Sequence, residues 1–175
     1  MKISSDYNIH LPDLEMIDQG KEFFILEKDG NCEKVQFHDY DRIYEIPGLY
    51  EKLFYDTYQC NSPETVCSLL KKHIIIDDAD AVQDIIALDI GAGNGMVGEQ
   101  LADMGADRIV GVDIIPEAAQ ALERDRPGLY DEYHVTDLTA MEPGVESTLK
   151  DKKFNCMTVV AALGFDDIPP QAFAE

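Results

Sequence analysis

Ile85-Ile86-Ala87-Leu88-Asp89-Ile90-Gly91-Ala92-Gly93-Asn94-Gly95-Met96-Val97-Gly98 decides how this chain folds. It opens as a nearly continuous apolar run, the pattern of a parallel strand buried on both faces. Glycines then crowd the exit from the strand. Glycine adopts backbone angles that other residues avoid and lets a ligand approach the main chain closely. Beyond it, residues 96–104 read as a helix, with Gly105 as its C-terminal cap. A strand that passes through a glycine loop into a helix N-terminus, with its unpaired N–H groups, is a ligand seat.

Working downstream, the same rhythm repeats. Residues 108–112 read as a second strand, and Pro116 opens a helix that Pro127-Gly128 ends. Residues 130–135 form a third strand, residues 143–150 a short helix and residues 154–163 a fourth strand. Asp166-Asp167-Ile168-Pro169-Pro170 then leads into a few last helical residues. Strands alternating with helices in this way mean an α/β fold with an open, Rossmann-like parallel sheet and flanking helices.

Two ligand classes compete for the loop. Gly93-x-Gly95-x-x-Gly98 matches the dinucleotide fingerprint, which would imply an NAD-type oxidoreductase. The frame is wrong, however: Gly91 closes the strand, and counting from Gly91 puts Met96 at the third glycine. Asp89 also sits at the strand end, where a carboxylate would repel a pyrophosphate and suit a cationic ligand.

Taken together, Asp89-x-Gly91-x-Gly93-x-Gly95 resembles motif I of the class I S-adenosylmethionine-dependent methyltransferases. The resemblance covers roughly residues 81–175 and implies S-adenosylmethionine as cofactor, with Asp89, Gly91, Gly93 and Gly95 around it. It implies that Asp113, closing the second strand, accepts both ribose hydroxyls, since an ionised carboxylate can take two hydrogen bonds from a vicinal diol. Ile114 would pack on the adenine face. Asp137 would meet the adenine amino group and the Leu138 N–H a ring nitrogen, although Asp137 also suits a plain turn or capping role. Ala161, in the fourth-strand region, joins the cofactor contacts, and acceptor contacts often follow it. No Asn/Asp-Pro-Pro-Tyr motif stands there, so exocyclic and amide nitrogens lose support as acceptors. Among His10, His38, His73 and His134, His134 is the best placed as a general base, because it lies near the C-terminal end of a strand.

The family sheet usually has seven strands, of which four are legible here. The expectation is therefore a fragment or reduced variant lacking the C-terminal strands. Its fourth strand would be an apolar edge through which copies could associate.

Upstream, residues 21–28 and 33–38 flank Asp29-Gly30-Asn31 and read as a β-hairpin, Asp-Gly being a favoured tight-turn pair. Residues 49–58 have helical spacing in a stretch rich in tyrosine, and Ser62-Pro63 starts another helix running to about His73. The loop 77–80 is the expected boundary. Residues 1–78 would be a hairpin and helical cap, and 79–175 the cofactor-binding domain. The tyrosine-rich segment is a candidate lid, with Tyr44 and Tyr55 as substrate-side residues, since aromatic faces attract a sulfonium.

Composition narrows the partners. Fourteen Lys and Arg stand against 35 Asp and Glu, a formal net charge of −21. Such a surface gains nothing from a phosphate backbone, which disfavours nucleic acid. The four cysteines form no C-x-x-C pair and no histidine stands at metal-ligand spacing, so no metal site is expected. No apolar run is long enough to span a membrane and no secretory signal opens the chain, which points to the cytoplasm. The expected function is methyl transfer to a small-molecule acceptor at oxygen, nitrogen or carbon. The alternatives are a non-catalytic or truncated cofactor-binding module that needs a partner and, further off, the oxidoreductase.

Overall fold

The computed structural model describes residues 6–12, 17–18, 20–74, 81–164 and 167–173. The expected boundary loop at 77–80 lies outside them, as do Phe165 and Asp166. The chain divides into two compact units, Met1–Cys60 and Asn61–Glu175.

The first unit is built on an antiparallel sheet of β1 (Tyr7–His10), β2 (Phe23–Lys28) and β3 (Asn31–Gln36), in the order β1-β2-β3. The expected hairpin is β2–β3. Asp29 and Gly30 both have positive φ, +53° and +76°, as a two-residue turn matching the strand twist requires, and Lys28 pairs with Asn31. Strand β1 was not legible: four residues carry too little pattern to stand out from a loop. After α1 (Tyr40–Glu45), the segment expected as an ordinary helix is a π-helix, Glu51–Thr57, in which Tyr58 N donates to Leu53 O five residues back. Phe24, Leu26, Val35, Ile43, Leu49 and Leu53 form this unit's buried core.

The second unit begins with α2 (Ser62–Ile74), which the sequence grouped with the cap. It packs here instead because Cys67, Leu70 and Ile74 join the core made by Ala87, Val97 and Leu101. The compact units therefore part at Cys60, ahead of the expected 78/79. Then come β4 (Ile86–Ile90), α3 (Met96–Met104), β5 (Arg108–Asp113), α4 (Pro116–Asp125), β6 (Glu132–Val135), α5 (Pro143–Asp151) and β7 (Cys156–Val159), with a 3-10 turn at Pro170–Phe173. The sheet is parallel, in the order β6-β5-β4-β7. This is the expected Rossmann-like arrangement, with β4 central and β7 at an edge. Gly105 ends α3 at φ +98°, its N–H on Ala102 O, as a left-handed C-cap.

Period-2 alternation sorts the sheet residues onto two faces. One face carries Ala87 and Ile109 beneath α3. The other carries Val110 and Val112 against Leu149 of α5. On that second face an apolar groove of about 570 Å³ is lined by Leu88, Ile90, Leu138, Met157 and Phe173, among others.

Candidate active site

The loop between β4 and α3 is built on glycines in left-handed backbone conformations. Gly91 and Gly95 have φ of +67° and +94°. A Cβ on Gly91 would stand 2.7 Å from Ala162 Cβ, and one on Gly95 2.8 Å from Leu122 Cδ1 and Leu129 Cδ2. Gly93 is also left-handed, at +54°.

The loop amides are engaged inside the protein. Gly91 N and Ala92 N donate to Val112 O at 2.9 and 3.1 Å, and Gly95 N donates to Ala92 O at 3.0 Å. Gly93 N donates to Asp113 Oδ2 at 2.8 Å. A pyrophosphate seat needs such N–H groups turned towards the ligand. The N–H groups of Gly91, Ala92, Gly93 and Gly95 are instead turned to protein acceptors.

Asp113 ends β5 and is half-buried. Besides Gly93 N it accepts Ile115 N, on Oδ1 at 2.9 Å. Burial pushes its carboxyl above the ordinary range, and the N–H groups of Ile115, Gly93 and Ile114 oppose the rise. A carboxylate offers roughly four acceptor positions, so acceptor capacity remains for a ligand. Ile114, next along, is 59% exposed, an unusual position for an isoleucine beside a half-buried acid.

Asp89 is placed differently. It is 1% exposed and faces the α3 side of the sheet. Tyr130 Oη donates to its Oδ2 and Thr158 Oγ1 to its Oδ1, both at 2.7 Å. Burial raises its pKa to about 6, against the pull of those two hydroxyls. The strand register puts Tyr133, Gly111, Asp89 and Thr158 in one row across all four strands. Asp89 thus lies beneath the loop, anchoring the row, and both its oxygens already hold protein hydroxyls.

Sequence reasoning missed the two tyrosines of this row and its edge. A Cβ on Gly98 would lie 2.5 Å from Tyr130 Cζ and Oη, and one on Gly111 2.7 Å from Tyr133 Cδ2. These glycines make room for rings and serve no turn. The signal was present: a glycine inside a helix and another inside an apolar strand both mark a close approach.

Of the remaining expected residues, Asp137 is exposed, and its Oδ1 accepts Thr139 N and Thr139 Oγ1 at 2.8 and 2.7 Å. Those bonds hold its carboxyl below the usual range. It is a turn residue with its second oxygen outside the turn. The Leu138 side chain packs beside Val110, Val112 and Leu149. Ala161 is exposed, in the left-handed region at φ +55° just beyond β7. His134 pairs with Val112, on the α5 face away from Asp89, and lies 3.3 Å from Glu132, which also binds Lys152. The structure does not bring it to the loop. Tyr44 and Tyr55 belong to the first unit. There Tyr44 is buried and stacked on Tyr50 at 5.0 Å, and the Tyr55 ring is 6.0 Å from Tyr50. Among the described residues there is no His, Cys, Asp or Glu cluster able to hold a metal, and no helix long and apolar enough to cross a membrane.

Residues 88–175 match the family model described as a methyltransferase domain, half of the chain, starting at the strand that carries Asp89. The chain belongs to the class I S-adenosylmethionine-dependent methyltransferases. This methyltransferase chain is 31% identical over 91 residues to protein arginine N-methyltransferase 1 of Saccharomyces cerevisiae, covering 50% of this chain and 24% of that protein. Among solved structures it is similar to the magnesium protoporphyrin IX methyltransferase of Synechocystis PCC 6803 with bound S-adenosylmethionine. The figures are 17% identity, TM-score 0.38, 52% of this chain and 49% of that one. It is also similar to the ribosomal protein L11 methylase of Lactobacillus delbrueckii subsp. bulgaricus, with 21% identity, TM-score 0.35, 46% of this chain and 40% of that one. The chain spans about a quarter of the length of its yeast relative and less than half of those two structures.

The methyltransferase family's cofactor is S-adenosylmethionine, and the residues present fit it. Asp113 keeps acceptor positions for a ribose diol, Ile114 exposes an apolar side chain beside it, and the N–H groups of Gly91, Ala92, Gly93 and Gly95 are taken up by protein acceptors.

Proposed function

We propose that this chain binds S-adenosylmethionine at the β4–α3 loop and transfers its methyl group to a small molecule. The observation that carries the reading is Asp113: a half-buried carboxylate braced by two backbone amides, with acceptor capacity left beside an exposed isoleucine.

The bound cofactor supplies a methyl group on a sulfonium whose thioether leaves readily, so positioning provides much of the catalysis. Asp113 accepts the ribose hydroxyls, and its bonds to Gly93 and Ile115 hold it in place to do so. Ile114 lies against the adenine. The outer oxygen of Asp137 takes the adenine amino group, and the Leu138 N–H a ring nitrogen. Gly91, Gly93 and Gly95 let the cofactor approach the backbone, and Ala161 borders it beyond β7. Asp89 acts from beneath, through the row it anchors. A base is needed only where the acceptor arrives protonated.

The net charge of −21 and the lack of an Asn/Asp-Pro-Pro-Tyr motif after β7 support a small acceptor over nucleic acid. A second reading is a protein acceptor. The yeast relative, named as a protein arginine methyltransferase, favours it, and an acidic surface attracts a cationic segment.

Calorimetric titration with S-adenosylhomocysteine tests the common part. Binding by the unmodified chain, weakened at least about 10-fold by Asp113→Ala, is expected from loss of a charged hydrogen-bond acceptor. A folded chain that does not bind would overturn the reading. Transfer of labelled methyl to small-molecule pools or to arginine-rich peptides then separates the acceptors.

A further inference from the structure

The loop's carbonyls are held as firmly as its amides. Tyr133 Oη donates to Gly93 O at 2.8 Å, and Arg126 Nη1 donates to Asn94 O at 3.2 Å. Neither donor is free to wander. The Tyr133 ring lies against the bare Cα of Gly111, where a Cβ would be 2.7 Å away, and stands edge-on to Tyr130 at 5.6 Å. Burial keeps its phenol protonated, so the donor is constant. The Arg126 side chain is 14% exposed, with its Nε on Glu99 Oε2 at 3.1 Å.

We propose that Tyr133 and Arg126 are positioning residues for the cofactor: by holding two successive loop carbonyls, they preform the seat on which S-adenosylmethionine is bound. This rests on the cofactor reading above. A loop already in its binding conformation spares the ligand the cost of ordering it. When a tether is removed, only part of the population stays competent, and the apparent dissociation constant rises by the inverse of that fraction.

Tyr130 provides the control. It lies beside Tyr133 and donates to Asp89, and no bond from it to a loop carbonyl accompanies that one. The full chain, Tyr133→Phe, Arg126→Gln and Tyr130→Phe are titrated with S-adenosylhomocysteine, and their melting temperatures are recorded. Loss of one hydrogen bond should weaken binding by about 3- to 10-fold in Tyr133→Phe and Arg126→Gln. Tyr130→Phe should melt earlier yet bind within about twofold of the unmodified chain. Turnover at saturating cofactor should be unchanged in Tyr133→Phe, the effect falling on KM. Equal affinity in Tyr133→Phe and the unmodified chain overturns the inference and leaves the cofactor reading standing. So does an equal loss in Tyr130→Phe, which would make the effect one of general stability. Absence of binding by the unmodified chain overturns both.

Discussion

Thr158 Oγ1 and Asp89 Oδ1 lie 2.7 Å apart, so the edge strand β7 is tied to the central strand β4 by a side-chain bond as well as by the backbone ladder. Tyr130 completes the set from the opposite side, and Asp89 becomes a carboxylate with almost no exposure and a hydroxyl on each oxygen.

That burial makes stability depend on pH. The folded chain favours the neutral acid, with a pKa of about 6 against 3.8 for the free side chain. The contribution is therefore full below pH 3.8, declines as pH rises towards 6 and is lost above it. At neutral pH the loss amounts to about 3 kcal/mol. Asp89→Asn keeps an acceptor for Thr158 and removes the titration. Denaturant melts at several pH values should show the unmodified chain losing stability relative to this variant between about pH 4 and 7. Parallel curves would mean that Asp89 stays charged at no cost.

Gly98→Ala should be destabilising although alanine is the better helix former. Its Cβ would meet the Tyr130 ring at 2.5 Å. Overpacking of this kind costs about 1–3 kcal/mol and outweighs the helix-propensity gain of about 1 kcal/mol. Urea unfolding measures the difference. A more stable variant would show that Tyr130 can move aside without loss.

His134→Gln should leave turnover within about twofold, because the side chain is on the α5 face beside Glu132 and Lys152. A loss of a hundredfold or more in kcat would restore it as the base.

Among the described strands β7 is an outer one of the parallel sheet, with Met157 57% exposed. Edge strands present unpaired backbone groups to other chains. Copies bearing −21 each repel, and salt screens that repulsion. Sedimentation velocity should show self-association that grows with ionic strength and falls in Met157→Lys. A monomer at every salt concentration would dismiss pairing through this edge.

The cofactor loop and the alternation around it were legible in the sequence because their causes are local. A buried parallel strand needs an unbroken apolar run, and left-handed turns need glycine. Gly91, Gly93, Gly95 and Gly105 therefore announce their places, and residues 96–104 announce their helix. Asp29-Gly30 announced its turn for the same reason. What the sequence could not determine was which side chain meets which across the sheet. Register set the row Tyr133–Gly111–Asp89–Thr158, turning Asp89 inward and His134 to the opposite face. Packing moved α2 into the second unit. These outcomes depend on residues 20 to 70 positions apart, whose meeting is decided by the fold as a whole and leaves no trace in local spacing.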